Sequence, residues 1–298
     1  MDVISALAGG KQETQETPKP SEYPGRFEEY SREAQAVLLN PGEAFQGLRF
    51  SLMKSVSQSS THDFATAHLL SLAPAPASSE YQFATTLLSH GDLQIVGRVD
   101  TNGVFISQLK KVFDNDFIVD LSFQAAQKNE FLGMDMEYRG HDYSAVLKVN
   151  NHGVREASFM QRLFPWWSMG VRGTHSVDDR KTVLSVCSRL VGTHSVLGTQ
   201  GDSEGTIDMS YIHRFSPKFA FCAESHVDTA KSSQEHKIGY EYNLISARFR
   251  GMVNMVSGRV TSLLEEKLGP SSSFILSADL DHAKKDYRFG IGLSIGSS

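Results

Sequence analysis

Asp286-Tyr287-Arg288-Phe289-Gly290-Ile291-Gly292-Leu293-Ser294-Ile295-Gly296-Ser297-Ser298 is the stretch on which the fold of this chain turns. Tyr287, Phe289, Ile291, Leu293 and Ile295 are apolar, and Arg288, Gly290, Gly292 and Ser294 between them are polar or tiny. Such alternation makes a strand with one greasy and one wet face. A strand at the end of the sequence exposes a row of unpaired backbone groups unless something covers its edge. Closing the sheet into a barrel, last strand against first, removes that edge.

Working outward, the 298 residues are 40% hydrophobic and 21% charged, and no apolar run approaches the ~20 residues of a membrane helix. A helical membrane protein is excluded. A membrane β-barrel is not, because alternation averages out in hydropathy. A net charge of −5 argues against a nucleic-acid partner. Cys187 and Cys222 are too few for a disulfide framework or a metal cluster, which points to a reducing or indifferent compartment; no metal and no cofactor are expected. Residues 1–21 are polar and read as a disordered tail without the features of a cleavable leader.

From Glu22 the pattern becomes helical. Phe27, Tyr30, Ala34, Val37 and Leu38 recur at three- and four-residue steps, and Asn40-Pro41-Gly42 ends the run, so 22–42 reads as one amphipathic helix with its linker. From 43 to 298 the helical period gives way to alternating segments. The cleanest are 48–54, 81–88, 93–100, 117–124, 132–139, 143–150, 167–174, 207–214, 219–227, 237–242, 247–254, 274–281 and 287–295. Asn-, Asp- and Gly-rich separators accept the positive φ of tight hairpins. Their spacing of about 10–14 residues fits about 18–20 strands.

The two faces decide what the sheet encloses. One reads Phe117, Val119, Leu121, Phe123; Leu132, Met134, Met136, Tyr138; Tyr143, Ala145, Leu147, Val149. The other reads Asp120, Ser122, Gln124; Gly133, Asp135, Glu137, Arg139; Ser144, Lys148, Asn150. Side chains fill the interior of a barrel of about eight strands, but not one of eighteen or more. In a barrel this wide the charged face lines water and the greasy face meets lipid. The expected fold is an all-β, up-and-down transmembrane barrel.

Three stretches resemble the mitochondrial porin superfamily, and within it the pore subunits of the outer-membrane translocase. The first runs from Asn40-Pro41-Gly42 through Phe45-Gln46-Gly47-Leu48-Arg49 to Lys54-Ser55-Val56-Ser57, with His68 following. The second is Gly239-Tyr240-Glu241-Tyr242, and the third is Ser277 to Leu293. The last strand carries the sorting pattern of mitochondrial barrels, polar-x-Gly-x-x-apolar-x-apolar, as Arg288, Gly290, Leu293 and Ile295. The resemblance implies a barrel of about 19 strands, first and last paired in parallel, with the N-terminal helix inside the pore. It implies a protein-conducting channel of the mitochondrial outer membrane, or that of a related organelle. The implied partners are precursor proteins, receptor and small single-helix subunits, membrane lipid and further copies of the barrel.

Candidate lumen contacts for positively charged presequences are Asp120, Asp135, Glu137, Glu224, Glu241, Asp279 and Asp281, set against Arg49, Arg98, Lys148, Arg172, Arg248, Arg250 and Arg288. Weak, salt-screened binding at many sites suits a conduit, since tight binding would plug it. The competing reading is a metabolite porin of the voltage-dependent anion channel type, which calls for a basic lumen. An enzyme reading finds no support: the glycines of 290–296 lack dinucleotide-motif spacing, and no helix follows them. Gly-Thr-His-Ser-Val occurs at 173–177 and again at 192–196, but no carboxylate or cysteine accompanies His175 and His194 at ligand spacing. Trp166-Trp167 reads as an anchor at the membrane interface.

Overall fold

The computed structural model describes residues 23–40, 42–59, 61–74, 79–89, 92–113, 116–126, 129–177 and 180–296. The polar tail expected at 1–21, Glu22, Pro41 and parts of several turns lie outside them. A 3₁₀ turn, Phe27–Ser31, leads into a short helix α1, Arg32–Val37, and nineteen strands follow. They are β1 Gly47–Gln58, β2 His62–Leu72, β3 Glu80–Ser89, β4 Leu93–Asp100, β5 Phe105–Phe113 and β6 Phe117–Ala126. Next come β7 Asn129–Arg139, β8 Tyr143–Asn150, β9 Val154–Phe164, β10 Trp167–Ser176, β11 Lys181–Val191, β12 Ser195–Asp202 and β13 Thr206–Ser216. The last are β14 Phe219–Asp228, β15 Ser233–Asn243, β16 Ala247–Asn254, β17 Arg259–Gly269, β18 Ser272–Asp281 and β19 Asp286–Gly296.

Every strand pairs antiparallel with its sequence neighbour, and β1 closes on β19 in parallel. The parallel seam follows from the odd strand number, because in an up-and-down sheet the first and last of nineteen strands run the same way. Gly47 faces Gly290 and Leu48 faces Ile291, through to Met53 and Gly296. The unprotected edge anticipated at the C-terminal strand is therefore a seam. Strands of 8–12 residues match a lipid span: about ten residues at ~3.3 Å each, tilted ~45°, cover ~23 Å.

The greasy face points outward on strand after strand. Leu48, Phe50 and Leu52 of β1, Leu132 and Tyr138 of β7, and Phe289 and Ile291 of β19 are all exposed on the outer wall. Aromatic rings cluster at the end of the barrel where odd strands finish: Phe113 with Phe117, Tyr138 with Tyr143 and Phe159, Phe215 with Phe219, and Phe164 stacked with Trp166 and Trp167. Such a belt sits at the headgroup level. Bulges at Ser55/Ser57, Trp167/Ser168, Arg214/Ser216 and Lys267/Gly269 fall at this same end, beside the hairpin turns. There they bend the strands at the rim.

Six strands were not among the clean alternating segments: β2, β5, β9, β11, β12 and β17. Each carries polar residues on its outer face or apolar ones on its inner face. His68 on β2 points outward and hydrogen-bonds Tyr81 at 2.6 Å, whereas Met160 on β9 and Cys187 on β11 point inward and are buried. The helix also differs from the single run expected over 22–39. Gly25 has φ +89° and Arg26 is extended, so the chain is helical only from Phe27, and Leu38 is extended again. These breaks let Tyr23, Arg26 and Leu38 reach the wall instead of following the helix axis.

Candidate functional site in the lumen

The N-terminal segment lies inside the barrel along β9–β15, with the 3₁₀ turn against β9–β12 and α1 against β13–β15. Its seat is a track of small inward residues. A Cβ built on Gly170 would come within 3.0 Å of the Phe27 ring, and one on Gly239 within 2.8 Å of Leu38. One on Gly198 would strike the Tyr30 carbonyl. Cys187 and Cys222 continue the track and are almost wholly buried. Phe27 packs with Met160 and Cys187, and Ala34, Val37 and Leu38 pack with Val196, Ile212 and Cys222. Fully burying a side chain such as Phe27 stabilises docking by about 1.5–3 kcal/mol.

Charge fixes the register of this packing. Glu137, with no exposed surface, accepts hydrogen bonds from the Tyr23 hydroxyl at 2.5 Å, Arg26 Nε at 2.6 Å and Arg139 Nε at 2.6 Å. Burial, reinforced by the Glu137 carboxylate, pushes the Tyr23 phenol well above its ordinary range. Ser144 Oγ donates to the Gly25 carbonyl at 2.7 Å. Farther along, Glu28 pairs with Lys148 and Glu33 with Arg189, and Arg250 grips both oxygens of Glu43 at 3.1–3.2 Å. The Arg172 guanidinium lies 4.7 Å from the centre of the Phe27 ring.

The candidate lumen acids all lie on inward-facing positions, but their surroundings differ. Asp120 and Asp135 are cross-strand neighbours. Asp120 takes a hydrogen bond from Gln108 at 2.7 Å, and its other oxygen is buried without a partner. Asp135 lies 3.9 Å from Lys148. Glu137 is fully engaged in holding the N-terminal segment, and Glu241 accepts from Arg248 Nε at 2.6 Å. Asp279 binds Arg259 through Nε at 2.6 Å, and Asp281 caps the β18–β19 turn through the Lys284 amide at 2.9 Å. Among the described residues, Glu224 has no hydrogen-bond or ion-pair partner.

Of the bases, Arg49 sits over the Phe45 ring at 4.1 Å, and Arg248 also reaches the Ala36 carbonyl at 3.4 Å. A cavity of about 820 Å³ opens beside the linker, lined by Asn40, Phe45, Lys237, Asp279, Asp281 and Arg288 among others.

The sorting-pattern residues divide by face. Leu293 and Ile295 point outward on β19, whereas Arg288 and Gly290 point inward, Arg288 bonding Asp286 at 2.6 Å. Gly290 and Gly292 lie under Phe45: a Cβ on Gly290 would strike the Phe45 carbonyl and come within 2.7 Å of its ring. The seam glycines thus make room for the last residues of the linker. The two Gly-Thr-His-Ser-Val copies fall at opposite ends of the barrel. His175 is on the outer face of β10 near its finish, bonded to Thr182, and His194 is in the β11–β12 turn. They cannot share a metal. Trp167 is fixed by its Nε1–H donating to Ser188 at 2.9 Å, and Trp166 is exposed beside it.

The residues that seat the segment are not among the site residues read from the sequence: Phe27, Glu28, Glu33, Glu43, Phe45, Arg189 and the inward glycines, of which Phe27 was read only as helix face and Phe45 only as part of a resembling stretch. A signal for them was present. Gly170, Cys187, Gly198, Cys222 and Gly239 put unusually small residues at inward positions across neighbouring strands, which marks close approach of another backbone.

A closed barrel with a greasy exterior and a charged interior, partly filled by its own N-terminus, defines a transmembrane pore. The sequence profile of eukaryotic porins matches residues 23–290, so the chain belongs to the eukaryotic porin family. Among curated relatives it is 28% identical to the probable mitochondrial import receptor subunit TOM40-2 of Arabidopsis thaliana, over 91% of this chain and 90% of that protein. It is 25% identical to the mitochondrial import receptor subunit TOM40 homolog of Homo sapiens, over 92% and 78%. With the mitochondrial import receptor subunit TOM40 of Saccharomyces cerevisiae it shares 23% identity, over 91% and 77%.

Proposed function

We propose that this chain is the protein-conducting channel of a mitochondrial outer-membrane translocase, passing unfolded precursors from the cytosol. The observation that carries the reading is likeness to import-receptor subunits over nine-tenths of the chain, on a barrel whose wet face points into a lumen. The mixed lumen charge supports it over a metabolite porin: Asp120 keeps one carboxylate oxygen without a partner and Glu224 has no ion pair among the described residues, while Arg189 and Arg250 are taken up by the N-terminal segment. Unpaired acids in a wide, wet lumen attract cationic presequences weakly and at many points. Within this reading, Asp120, Asp135, Glu224 and Asp281 contact substrate transiently, while Glu137 and Glu241 hold structure. The partners are precursor proteins, receptor and single-helix translocase subunits, and further barrels of the same kind.

The test is reconstitution of the purified chain in a planar bilayer, with and without a synthetic presequence peptide. The expected result is a large conductance blocked by the peptide. A pore with clear anion preference and no peptide response would overturn the reading in favour of a metabolite porin, and no pore at all would overturn both.

A further inference from the structure

We propose that the N-terminal segment supplies counter-charge to the lumen: Glu28, Glu33 and Glu43 set its charge selectivity by masking Lys148, Arg189 and Arg250. This rests on the pore reading and adds to it the residues that determine which sign of charge the pore admits. The three carboxylates are spread along the segment, and each meets a base on a different strand, β8, β11 and β16. The Arg189–Glu33 and Arg250–Glu43 pairs are largely shielded from water on both sides. Among the described residues, neither arginine has a wall carboxylate within ion-pair distance. Arg250 stands opposite Glu241 across the strands, yet Glu241 is committed to Arg248. Lys148 retains Asp135 at 3.9 Å and Glu156 at 3.7 Å, so its unmasking contributes least.

In the other direction the segment covers a single wall acid. Arg26 binds Glu137, which Arg139 already neutralises, and Arg32 pairs with Glu29 of its own segment. The segment therefore neutralises three wall bases against one wall acid, so seating it shifts the lining toward negative charge and losing its carboxylates shifts the lining back. Ion pairs of this kind cancel one another's field beyond a Debye length of ~8–10 Å, so the masked bases stop repelling a cationic polypeptide passing along the open side of the lumen.

The experiment measures reversal potential across planar bilayers in a KCl gradient, using the full-length chain and three variants. E28Q/E33Q/E43Q should lower the potassium-over-chloride permeability ratio by about twofold or more, because lining charge sets the local counter-ion concentration. K148Q/R189Q/R250Q should raise it, and the six-substitution combination should return it near the parent value. Labelling of Cys187, which lies under the segment, with a charged maleimide reports in parallel whether the segment is seated. If E28Q/E33Q/E43Q conducts with an unchanged ratio, the proposal is overturned whether Cys187 is protected or labelled, because the bases are bare in both cases. If both triple variants shift the ratio in the same direction, loosening of the segment rather than charge is the cause, and the proposal is again overturned. Failure of the parent chain to conduct would instead sink the pore reading on which it rests.

Discussion

Replacing Phe27 with alanine should release the N-terminal segment from the wall. Phe27 is 1% exposed and fills a socket formed by Met160, Cys187 and the bare backbone of Gly170. Truncating a buried phenylalanine costs about 3–5 kcal/mol, and the lower figure applies where water from the lumen can fill the space. At 1.36 kcal/mol per decade, ~3 kcal/mol raises the undocked population roughly 100-fold. Cys187 reports that population, since it is 1% exposed beneath the same ring. In a Cys222→Ser background, the rate of modification by a charged maleimide follows the open fraction when opening and closing outrun labelling. Phe27→Ala should therefore accelerate labelling by about two decades, while Arg32→Ala, on the exposed face of α1, should change it only a few-fold.

The wall offers a complementary perturbation. Gly170→Val would place carbon where the Phe27 ring, Met160 Sδ and Cys187 Sγ now lie 3.0–3.1 Å from an added Cβ. Overpacking of ~1–3 kcal/mol gives a reaction roughly 5- to 150-fold faster. If Phe27→Ala leaves the labelling rate within about threefold of the parent, the segment is not held by this socket and the packing argument fails.

Three further outcomes follow from the same geometry. Glu137→Gln removes the charge and turns one of the two oxygens that accept from Tyr23, Arg26 and Arg139 into a donor, at a cost of about 3 kcal/mol, so trypsin should cut after Arg26 much faster; an unchanged digestion rate would show that the triple contact is dispensable. Gly290→Val drives a side chain into Phe45 at the β1–β19 seam, and the urea midpoint for barrel unfolding should fall by the equivalent of ~1–3 kcal/mol; a midpoint equal to the parent's would remove the steric reason for glycine there. Leu184→Arg places a charge on the exposed outer wall of β11 and should cost about 2–4 kcal/mol of folding free energy in lipid, whereas Asp135→Asn on the inner wall should cost under ~1 kcal/mol; equal costs would reverse the assignment of faces.

The barrel was legible because its code is repetitive. Thirteen segments alternate cleanly, and for β6, β7 and β8 the outer sets named from period alone are the ones that face outward in the structure. The strands that escaped are informative for the opposite reason. On β9 and β11 the inward positions include Met160 and Cys187, which are apolar because they face the buried side of the N-terminal segment and not water. The segment corrupts the alternation of the wall it touches. Period-two reading assumes two uniform solvents, lipid and water, and it fails where the protein supplies a third environment.

The same logic explains why the lumen charges could be enumerated but not ranked. Glu137 and Glu224 look alike in sequence, both acids on the wet face of a strand. One is buried under three donors from two parts of the chain, and the other has no partner among the described residues. What separates them is the path of residues 23–40 and 42–46 through the lumen, which strand alternation does not encode. That path is written in the partners: glycine and cysteine where the segment needs space, lysine and arginine where it brings acid. A barrel of nineteen strands has more lumen than its own side chains can fill. By seating an acidic segment against one wall, this chain turns surplus volume into a lining whose charge is set by residues outside the sheet. Selectivity can then change by substitution at Glu28, Glu33 or Glu43 without touching the backbone ladder that closes the barrel.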